Sequence, residues 1–250
     1  MAAQYSEKRN EKSVQSYLYS SDKARLTGFV HEMAQSAISS IEKAVLSLSK
    51  LDLERAKQVI EEDDLIDEKE EQIDQECLYS IAMRQPVRED LRFVYAVMKI
   101  IVDLERIGDQ SVNIAMSVLD LPKGLHFPEE LIPFVERMAN ENIRMIKEVM
   151  EAFAGDDETV ICSAREHRKR VKGIRKSAVS NIEELIGSES GCDSEKLRLF
   201  CMVILILRHL SRISDHVLNL AERVSFIATG ISPLTLKRAQ EKINSVGKES

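Results

Sequence analysis

The chain has few of the residues that interrupt helices, and it has no tryptophan. Its 250 residues include nine glycines, five prolines, five tyrosines and seven phenylalanines. This composition suits long helices better than sheets. The four cysteines show no C-x-x-C spacing, so we expect reduced, structural thiols. The longest apolar run, residues 199–207, is far shorter than the roughly 20 residues that span a membrane.

The sequence also lacks a surplus of positive charge, because its formal net charge is −7. Binding to nucleic acid or to an anionic membrane needs a basic surface, so we expect neither as a partner. The first 21 residues are polar and contain no apolar core of a signal peptide. The sequence therefore predicts a cytoplasmic protein without direct membrane insertion.

Three common arrangements of catalytic groups are missing from the sequence. None of the five histidines has a Glu three positions before it, as the di-iron sites of ferritin-like bundles require. No Ser or Cys lies beside a His in a recognisable nucleophile motif, and there is no glycine-rich phosphate loop. These absences argue against a di-iron redox enzyme, against nucleophilic catalysis and against phosphate recognition by a glycine-rich loop.

Apolar residues recur every three or four positions along most of the chain, which predicts six helices with short breaks between them. Breaks are expected at Pro86, residues 121–124, Gly155 and residues 187–191, and Gly230 is expected to cap the last helix. The predicted helices cover about residues 26–51, 52–83, 87–119, 128–153, 158–186 and 194–229.

An internal repeat organises these helices. The segment ERIGD at residues 105–109 is matched by SRISD at residues 211–215, in the middle of the third and sixth helices. Each copy of a repeat must bury the same face. The sequence therefore predicts an all-α fold of two tandem, pseudo-symmetric three-helix bundles. The first bundle is expected at residues 23–121 and the second at 128–230, flanked by a polar N-terminal extension (1–22) and a polar C-terminal tail (231–250).

Acidic residues lie in unusual columns on two helices of the first copy. On a helical wheel, Glu105 and Asp109 share an otherwise apolar stripe of the third helix, where desolvated carboxylates are costly without a cation. The second helix carries a column of four acids, namely Asp63, Asp67, Glu70 and Asp74. If these helices face each other, Glu70 and Asp74 meet Glu105 and Asp109 in an oxygen-rich cage for a cation. Alternatively, the acids lie on an exposed edge and pair with Lys69, Arg106 or basic groups of the first helix.

The second copy does not retain this set of acids. The four acids of the second helix correspond to Ala164, Arg168, Val171 and Arg175, and Glu105 corresponds to Ser211. Asp215 persists at the position of Asp109. We expect Asp215 either to pair with Arg175 or Arg168, or to be the remnant of a second metal site.

The remaining faces of the third helix are assigned by the same wheel. Its solvated wedge is expected to contain Arg92, Lys99, Arg106, Gln110, Asn113 and Ser117. A broad, exposed apolar face including Phe93, Ile100, Ile107 and Ile114 is expected to serve packing between bundles or between subunits.

The segment DLERIGD at residues 103–109, with NIA at 113–115 and MRQP at 83–86, closely resembles the PhoU family of bacterial phosphate-signalling regulators. The second copy at residues 212–222 resembles that family's second repeat. The resemblance implies metal-binding Glu/Asp-x-x-x-Asp motifs, with iron or zinc as the ion, and self-association as a homodimer. It implies a protein that is not an enzyme but a negative regulator of phosphate uptake and the phosphate-starvation response, acting between a phosphate transporter ATPase and a sensor histidine kinase.

The metal ligands predicted from the columns and the resemblance together are six carboxylates. They are Asp67, Glu70, Asp74, Glu105, Asp109 and Asp215. Gln110 replaces a histidine that is frequent in the family, and the losses in the second copy make two equivalent metal clusters unexpected. The alternative function is a metal-free helical scaffold whose acidic face binds a basic partner segment.

Overall fold

The computed structural model describes residues 2–121, 127–155, 157, 159–188, 194–232 and 235, with only the backbone described for residues 2–19. Within these residues every regular element is helical. The helices are α1 (Ala2–Lys50), α2 (Leu53–Glu61), α3 (Asp64–Arg84), α4 (Glu89–Leu119), α5 (Ile132–Gly155), α6 (Val160–Ser188) and α7 (Ser194–Thr229). Helices α1–α4 form one bundle and α5–α7 the other, which confirms the predicted all-α fold of two tandem bundles.

The predicted second helix is wrong as a single element, because the chain is split into α2 and α3. Asp52 caps α2 by accepting a hydrogen bond from the Arg55 amide at 3.0 Å. The regular bonding pattern then tightens at the junction, where the amide of Ile66 donates to the carbonyl of Asp63 at 2.7 Å. Four consecutive acids occupy residues 61–64. The helix restart places Asp64 and Asp67 in the first turn of α3, where the positive helix end offsets part of their mutual repulsion.

The other helix boundaries agree with the predictions within a few residues, except at the chain start. Helix α1 begins at Ala2, so residues 2–22 continue the first helix instead of preceding it. A 3-10 turn at Glu129–Leu131 leads into α5. Helix α7 ends at Thr229 as predicted, and Gly230 follows with φ = 73°, the left-handed conformation that glycine adopts readily. The predicted breaks at 122–124 and 189–191 and most of the C-terminal tail lie outside the described residues.

Helices α4 and α7 pack against each other at the centre of the molecule. Nδ1 of His216 lies 2.9 Å from Oδ1 of Asp103, and Nδ1 of His209 lies 2.9 Å from Oε1 of Gln110. Since the residue numbers run in opposite directions, the two helices are antiparallel. The repeat offset of 106 takes Asp103 to His209 and Gln110 to His216, so the repeat symmetry exchanges the two contacts.

The packing of α4, which is the third predicted helix, corrects two predictions made for it. Gln110 is not in a solvated wedge: it is buried, because α7 covers it. The apolar face is not exposed either, since Phe93, Ile100, Ile107 and Ile114 are all at most 2% exposed within the fold. A helix in the middle of two bundles is covered on more than one side, which a wheel of a single helix does not show. In the part of the chain that the structure describes, no helix is long and apolar enough to cross a membrane.

Candidate metal centre

The acids of α3 and α4 lie close enough to raise one another's pKa values. The pKa of Glu105 is raised to about 7, because burial disfavours its charge and Asp109, Glu70 and Asp67 repel it, while Arg106 opposes the shift. The pKa of Asp67 is raised by burial and then by Asp109, and that of Glu70 by burial and then by Asp67 and Asp74. Helices α3 and α4 therefore bring Asp67, Glu70, Glu105 and Asp109 into one carboxylate cluster, whereas the predicted cage had Asp74 opposite Glu105 and Asp109.

Asp63 belongs to the same cluster, although it was not among the six predicted ligands. Burial raises its pKa to about 6, and repulsion from Asp67 and Asp109 adds to this. The sequence did contain a signal for it, since Asp63 begins the acidic column of α3. Asp74 lies toward the other end of this column, where its charge acts on Glu70 and Cys77. We define the carboxylate cluster as Asp63, Asp67, Glu70, Glu105 and Asp109.

Gly108 permits the close approach of α3 to α4 at this cluster. A Cβ atom built on Gly108 would lie 3.0 Å from Oδ1 of Asp63 and 3.0 Å from Cδ1 of Ile66. In the second copy the corresponding pair is Ser214 and Ala164, both buried. The first copy combines Gly108 with an acid, Asp63. At the equivalent positions the second copy combines a larger residue, Ser214, with an alanine, Ala164. A side chain at position 108 would therefore crowd both Asp63 and Ile66 of the opposing helix.

Gly108→Ala is expected to leave the protein at least about 1 kcal/mol less stable than the matched variant Gly173→Ala. Both changes raise helix propensity by up to about 1 kcal/mol, but a Cβ at Gly173 meets nothing within 4 Å. The difference between the two therefore isolates the crowding against Asp63 and Ile66. Urea unfolding of both variants and the wild type measures it. Equal stabilisation at both positions would show that the close approach is not needed.

The cluster has one cationic neighbour that contacts two of its members. Arg106 Nε lies 3.3 Å from Glu105 Oε2, and its Nη1 donates to Asp109 Oδ2 at 3.1 Å. Lys69 instead reaches Glu32 on α1, at 3.7 Å. Of the two cations named in the alternative interpretation, Arg106 therefore pairs with acids of the cluster, whereas Lys69 pairs with Glu32 of α1. The guanidinium is half-exposed, so it offsets only part of the mutual repulsion.

The oxygen donors of the carboxylate cluster are chemically suited to bind a cation. Carboxylate oxygens suit hard and borderline ions, and a cation would offset the repulsion that raises the pKa values of Asp63 and Glu105. In their present positions, no three His, Cys, Asp or Glu side chains among the described residues are arranged to ligate one ion. The acids are neighbours across α3 and α4, and binding would require their side chains to converge.

Asp215 lies apart from the carboxylate cluster and has a different partner. Nε of Arg168 donates to its Oδ1 at 2.5 Å, and both side chains are partly exposed. Arg168 occupies the position of Asp67 in the repeat, so a cation of the protein stands where the first copy has an acid. This is the ion pair expected for the second copy, with Arg168 and not Arg175 as the partner.

A second polar cluster, between α5 and α6, was not found from the sequence. His167 is 4% exposed, and its ring nitrogens lie 2.8 Å from Oε2 of Glu141 and 3.0 Å from Oε1 of Glu148. Arg170 Nε donates to Glu141 at 2.9 Å, and Ser163 donates to Glu148. The two acids lie seven residues apart on α5, which places them on one helix face. This spacing was the available signal.

The fold and this site define a class of protein: a tandem-repeat helical protein with a carboxylate cluster between two helices of its first repeat. The sequence profile of the PhoU domain matches residues 30–118 and again residues 135–224. The chain belongs to the PhoU family.

Individual relatives agree with this assignment. A phosphate-specific transport system accessory protein PhoU homolog of Pseudomonas aeruginosa is 31% identical over 175 residues, which cover 69% of this chain and 70% of the relative. A homolog of Rhizobium meliloti is 28% identical over 176 residues, covering 70% and 72%. The crystal structure of PhoU from Pseudomonas aeruginosa has a TM-score of 0.77 and 29% identity, over 85% of this chain and 100% of that one. The two sequence relatives are named as accessory proteins of the phosphate-specific transport system.

Proposed function

We propose that this protein is a negative regulator of phosphate uptake and of the phosphate-starvation response. It acts as a metal-binding adaptor between a phosphate ABC transporter and a sensor histidine kinase, as a cytoplasmic homodimer. Membership of the PhoU family and the names of the relatives support the link to phosphate transport. The observation that carries the metal-binding part is the carboxylate cluster between α3 and α4, with its raised pKa values.

The ion in this proposal is held by the first repeat alone. The carboxylate cluster supplies only oxygen donors, which favours iron over zinc, since zinc is more often bound by nitrogen and sulfur. A bound cation would supply positive charge that holds α3 and α4 together. In the second repeat, Arg168 already neutralises Asp215, so a second ion has less to stabilise there. The ligands carried by α3 and α4 would therefore respond to metal, whereas those of α6 and α7 would not.

The combined variant Glu105→Gln with Asp109→Asn is expected to lose stoichiometric metal. It removes the negative charges of two of the five carboxylates in the cluster while keeping the shape of both side chains. Asp215→Asn is the matched control in the second repeat and is expected to retain the metal. Metal content is measured by plasma mass spectrometry on protein purified without chelators. If the wild-type protein carries no stoichiometric iron, zinc or other transition metal, the metal proposal is wrong. If only Asp215→Asn loses its metal, the site lies in the second repeat.

The adaptor role is tested by capture of the purified phosphate transporter ATPase and of the sensor kinase from the same organism. We expect wild-type protein to retain both partners. Binding to neither partner contradicts the regulatory proposal, whatever the metal content. Retention of only the ATPase would restrict the function to the transporter.

A second candidate is a metal-free scaffold whose acidic face binds a basic partner segment. The contacts of Arg106 with Glu105 and Asp109 favour it, because they show that a guanidinium fits against these acids. In this case partner binding weakens steeply with salt and persists after metal is removed. Under the metal proposal, removal of metal weakens partner binding. Capture experiments with metal-loaded and metal-stripped protein distinguish the two functions.

A further inference from the structure

The second bundle contains a basic cleft between α5 and α6 on the surface of the molecule. Its volume is about 480 Å³, within the range of small-molecule sites. We define the arginine cleft by six of its lining residues, which are Arg137, Asn140, Arg144, Arg170, Gly173 and Ser177. Three guanidinium groups therefore line one concave surface of a chain whose formal net charge is −7.

The one acid that lines the cleft does not cancel these charges. Glu141 accepts a hydrogen bond from Nε of Arg170 at 2.9 Å, and its other oxygen lies 3.8 Å from Nη1 of Arg144. Against three arginines, a single carboxylate leaves a surplus of two positive charges. The bond to Nε also fixes the plane of the Arg170 guanidinium. Nη2 of Arg170 also lies 2.8 Å from Nδ1 of His167. The guanidinium is therefore held in place, which reduces the side-chain freedom lost when its remaining N–H groups bind phosphate oxygens.

The first bundle shows that the fold does not require a basic residue at two of the three arginine positions, whereas the third, Arg170, corresponds to Lys69 of the first bundle. The two PhoU domain matches begin at residues 30 and 135, an offset of 105 that relates α1 to α5. Arg137 then corresponds to Glu32, and Arg144 to Ser39. Both of these residues line the equivalent groove of about 410 Å³ beside α1. The same groove thus has an acid and a hydroxyl in one copy and two arginines in the other.

Gly173 provides a second, independent indication that the cleft is kept open. It lies within α6, where glycine costs about 1 kcal/mol relative to alanine. Nothing lies within 4 Å of a Cβ built there, so no packing contact requires a glycine. The corresponding residue of α3 is Gln72, at the offset of 101 between these helices. The missing side chain leaves room between the arginines instead.

We infer that the arginine cleft binds a small anion that carries two or more phosphate groups. Three guanidiniums offer more donors than a single phosphate uses, and the volume of the cleft exceeds what one phosphate fills. Among the residues that the structure describes, no aromatic side chain lines the cleft, so recognition rests on the phosphates and not on a stacked base. The site is on α5 and α6 and uses none of the carboxylate cluster. Its failure would leave the metal proposal intact.

The test is calorimetric titration of full-length, metal-stripped and desalted protein with inorganic pyrophosphate, with ATP and with orthophosphate. Metal is removed so that the carboxylate cluster cannot recruit phosphate through an ion. Arg137→Glu installs the residue of the first repeat and is expected to weaken pyrophosphate binding by at least about tenfold. Lys172→Glu is the control, because it makes the same change of charge on the opposite face of α6. Gly173→Gln fills the cleft while favouring the helix, and it is expected to weaken binding without loss of thermal stability.

Tighter binding of pyrophosphate or ATP than of orthophosphate, lost in Arg137→Glu and Gly173→Gln but kept in Lys172→Glu, establishes the site. Equal weakening in Arg137→Glu and Lys172→Glu would show attraction by net charge only and overturns the proposal. Absence of binding by wild-type protein in low salt overturns it as well. Cosedimentation with phosphatidylglycerol vesicles in the absence of any pyrophosphate binding would assign the arginines to a lipid surface, which also contradicts it.

Discussion

Glu105→Gln is expected to stabilise the metal-free protein by about 1–2 kcal/mol at pH 8. The folded state raises the pKa of Glu105 from 4.5 to about 7, mainly through burial and then through repulsion by Asp109. A shift of this size would correspond to roughly 3 kcal/mol, but solvent at the open side of the cluster screens part of it. The pair with the half-exposed Arg106 is lost, at a cost below about 1 kcal/mol.

The pH dependence of stability gives this prediction a definite sign. Because its pKa is higher in the folded state, folded Glu105 binds a proton more tightly than unfolded Glu105 does. Stability therefore falls as pH rises from about 4.5 to about 7, and the penalty is complete above that range. Asp63, with a pKa raised to about 6, adds a penalty of the same sign. Glu105→Gln is expected to flatten this decline.

Chemical unfolding at pH 5.5 and pH 8, with and without added ferrous or zinc ion, measures these effects. Glu68→Gln is the control, because it removes one exposed charge from α3 outside the carboxylate cluster. Added metal is expected to raise wild-type stability more at pH 8 than at pH 5.5, since ligands must lose their protons to bind. If Glu105→Gln is no more stable than Glu68→Gln at pH 8, the cluster does not strain the metal-free protein.

The periodic spacing of apolar residues and the internal repeat predict most of the fold and part of the carboxylate cluster. Apolar spacing places Ile107 and Ile213 in equivalent core positions, and both are fully buried. The repeat predicts two bundles, and the comparison of copies predicts that the acids gather in one of them. Both inferences depend on residues that recur at fixed intervals within a helix, which is what a single sequence displays directly.

The errors arose where the outcome depends on contacts between helices. The junction between α2 and α3 contains four consecutive acids and no glycine or proline, so it carries no sequence signal for a helix break. Gln110 has a polar side chain and was therefore assigned to solvent, yet His209 of α7 covers it. Asp63 belongs to the site because Gly108 lets α3 approach α4 at that position. Each case requires knowledge of which helices are neighbours, and the sequence of one helix does not contain it.

The ion pairs of the second repeat make the stability of the protein depend on pH in the direction opposite to that of the carboxylate cluster. They also lead to the second large expected effect, that of a substitution at His167. The pKa values of Glu141 and Glu148 are lowered, because hydrogen bonds outweigh the cost of burial. Glu141 is in contact with Arg170 and His167, and Glu148 with Ser163 and His167. A lowered carboxylate pKa contributes stability above about 4.5, and this contribution is lost as pH falls through the folded-state value. The second repeat is therefore weakened by acid, whereas the acids of the first repeat are relieved by it.

His167→Ala is accordingly expected to destabilise the protein by about 2–3 kcal/mol at pH 7 and to start acid unfolding at a higher pH. His167 is almost fully buried, so its removal leaves a cavity and takes a partner from Glu141, whose side chain is only 15% exposed. Arg168→Ala is the control beside it in sequence: its pair with Asp215 is partly exposed, and we expect a loss below about 1 kcal/mol. Urea unfolding at pH 7 and an acid titration followed by circular dichroism measure both variants. Equal losses in the two variants would mean that burial does not strengthen the His167 contacts. The charged partners on α6 would then act at the surface of the second repeat, and the cluster around His167 would not hold α5 against α6.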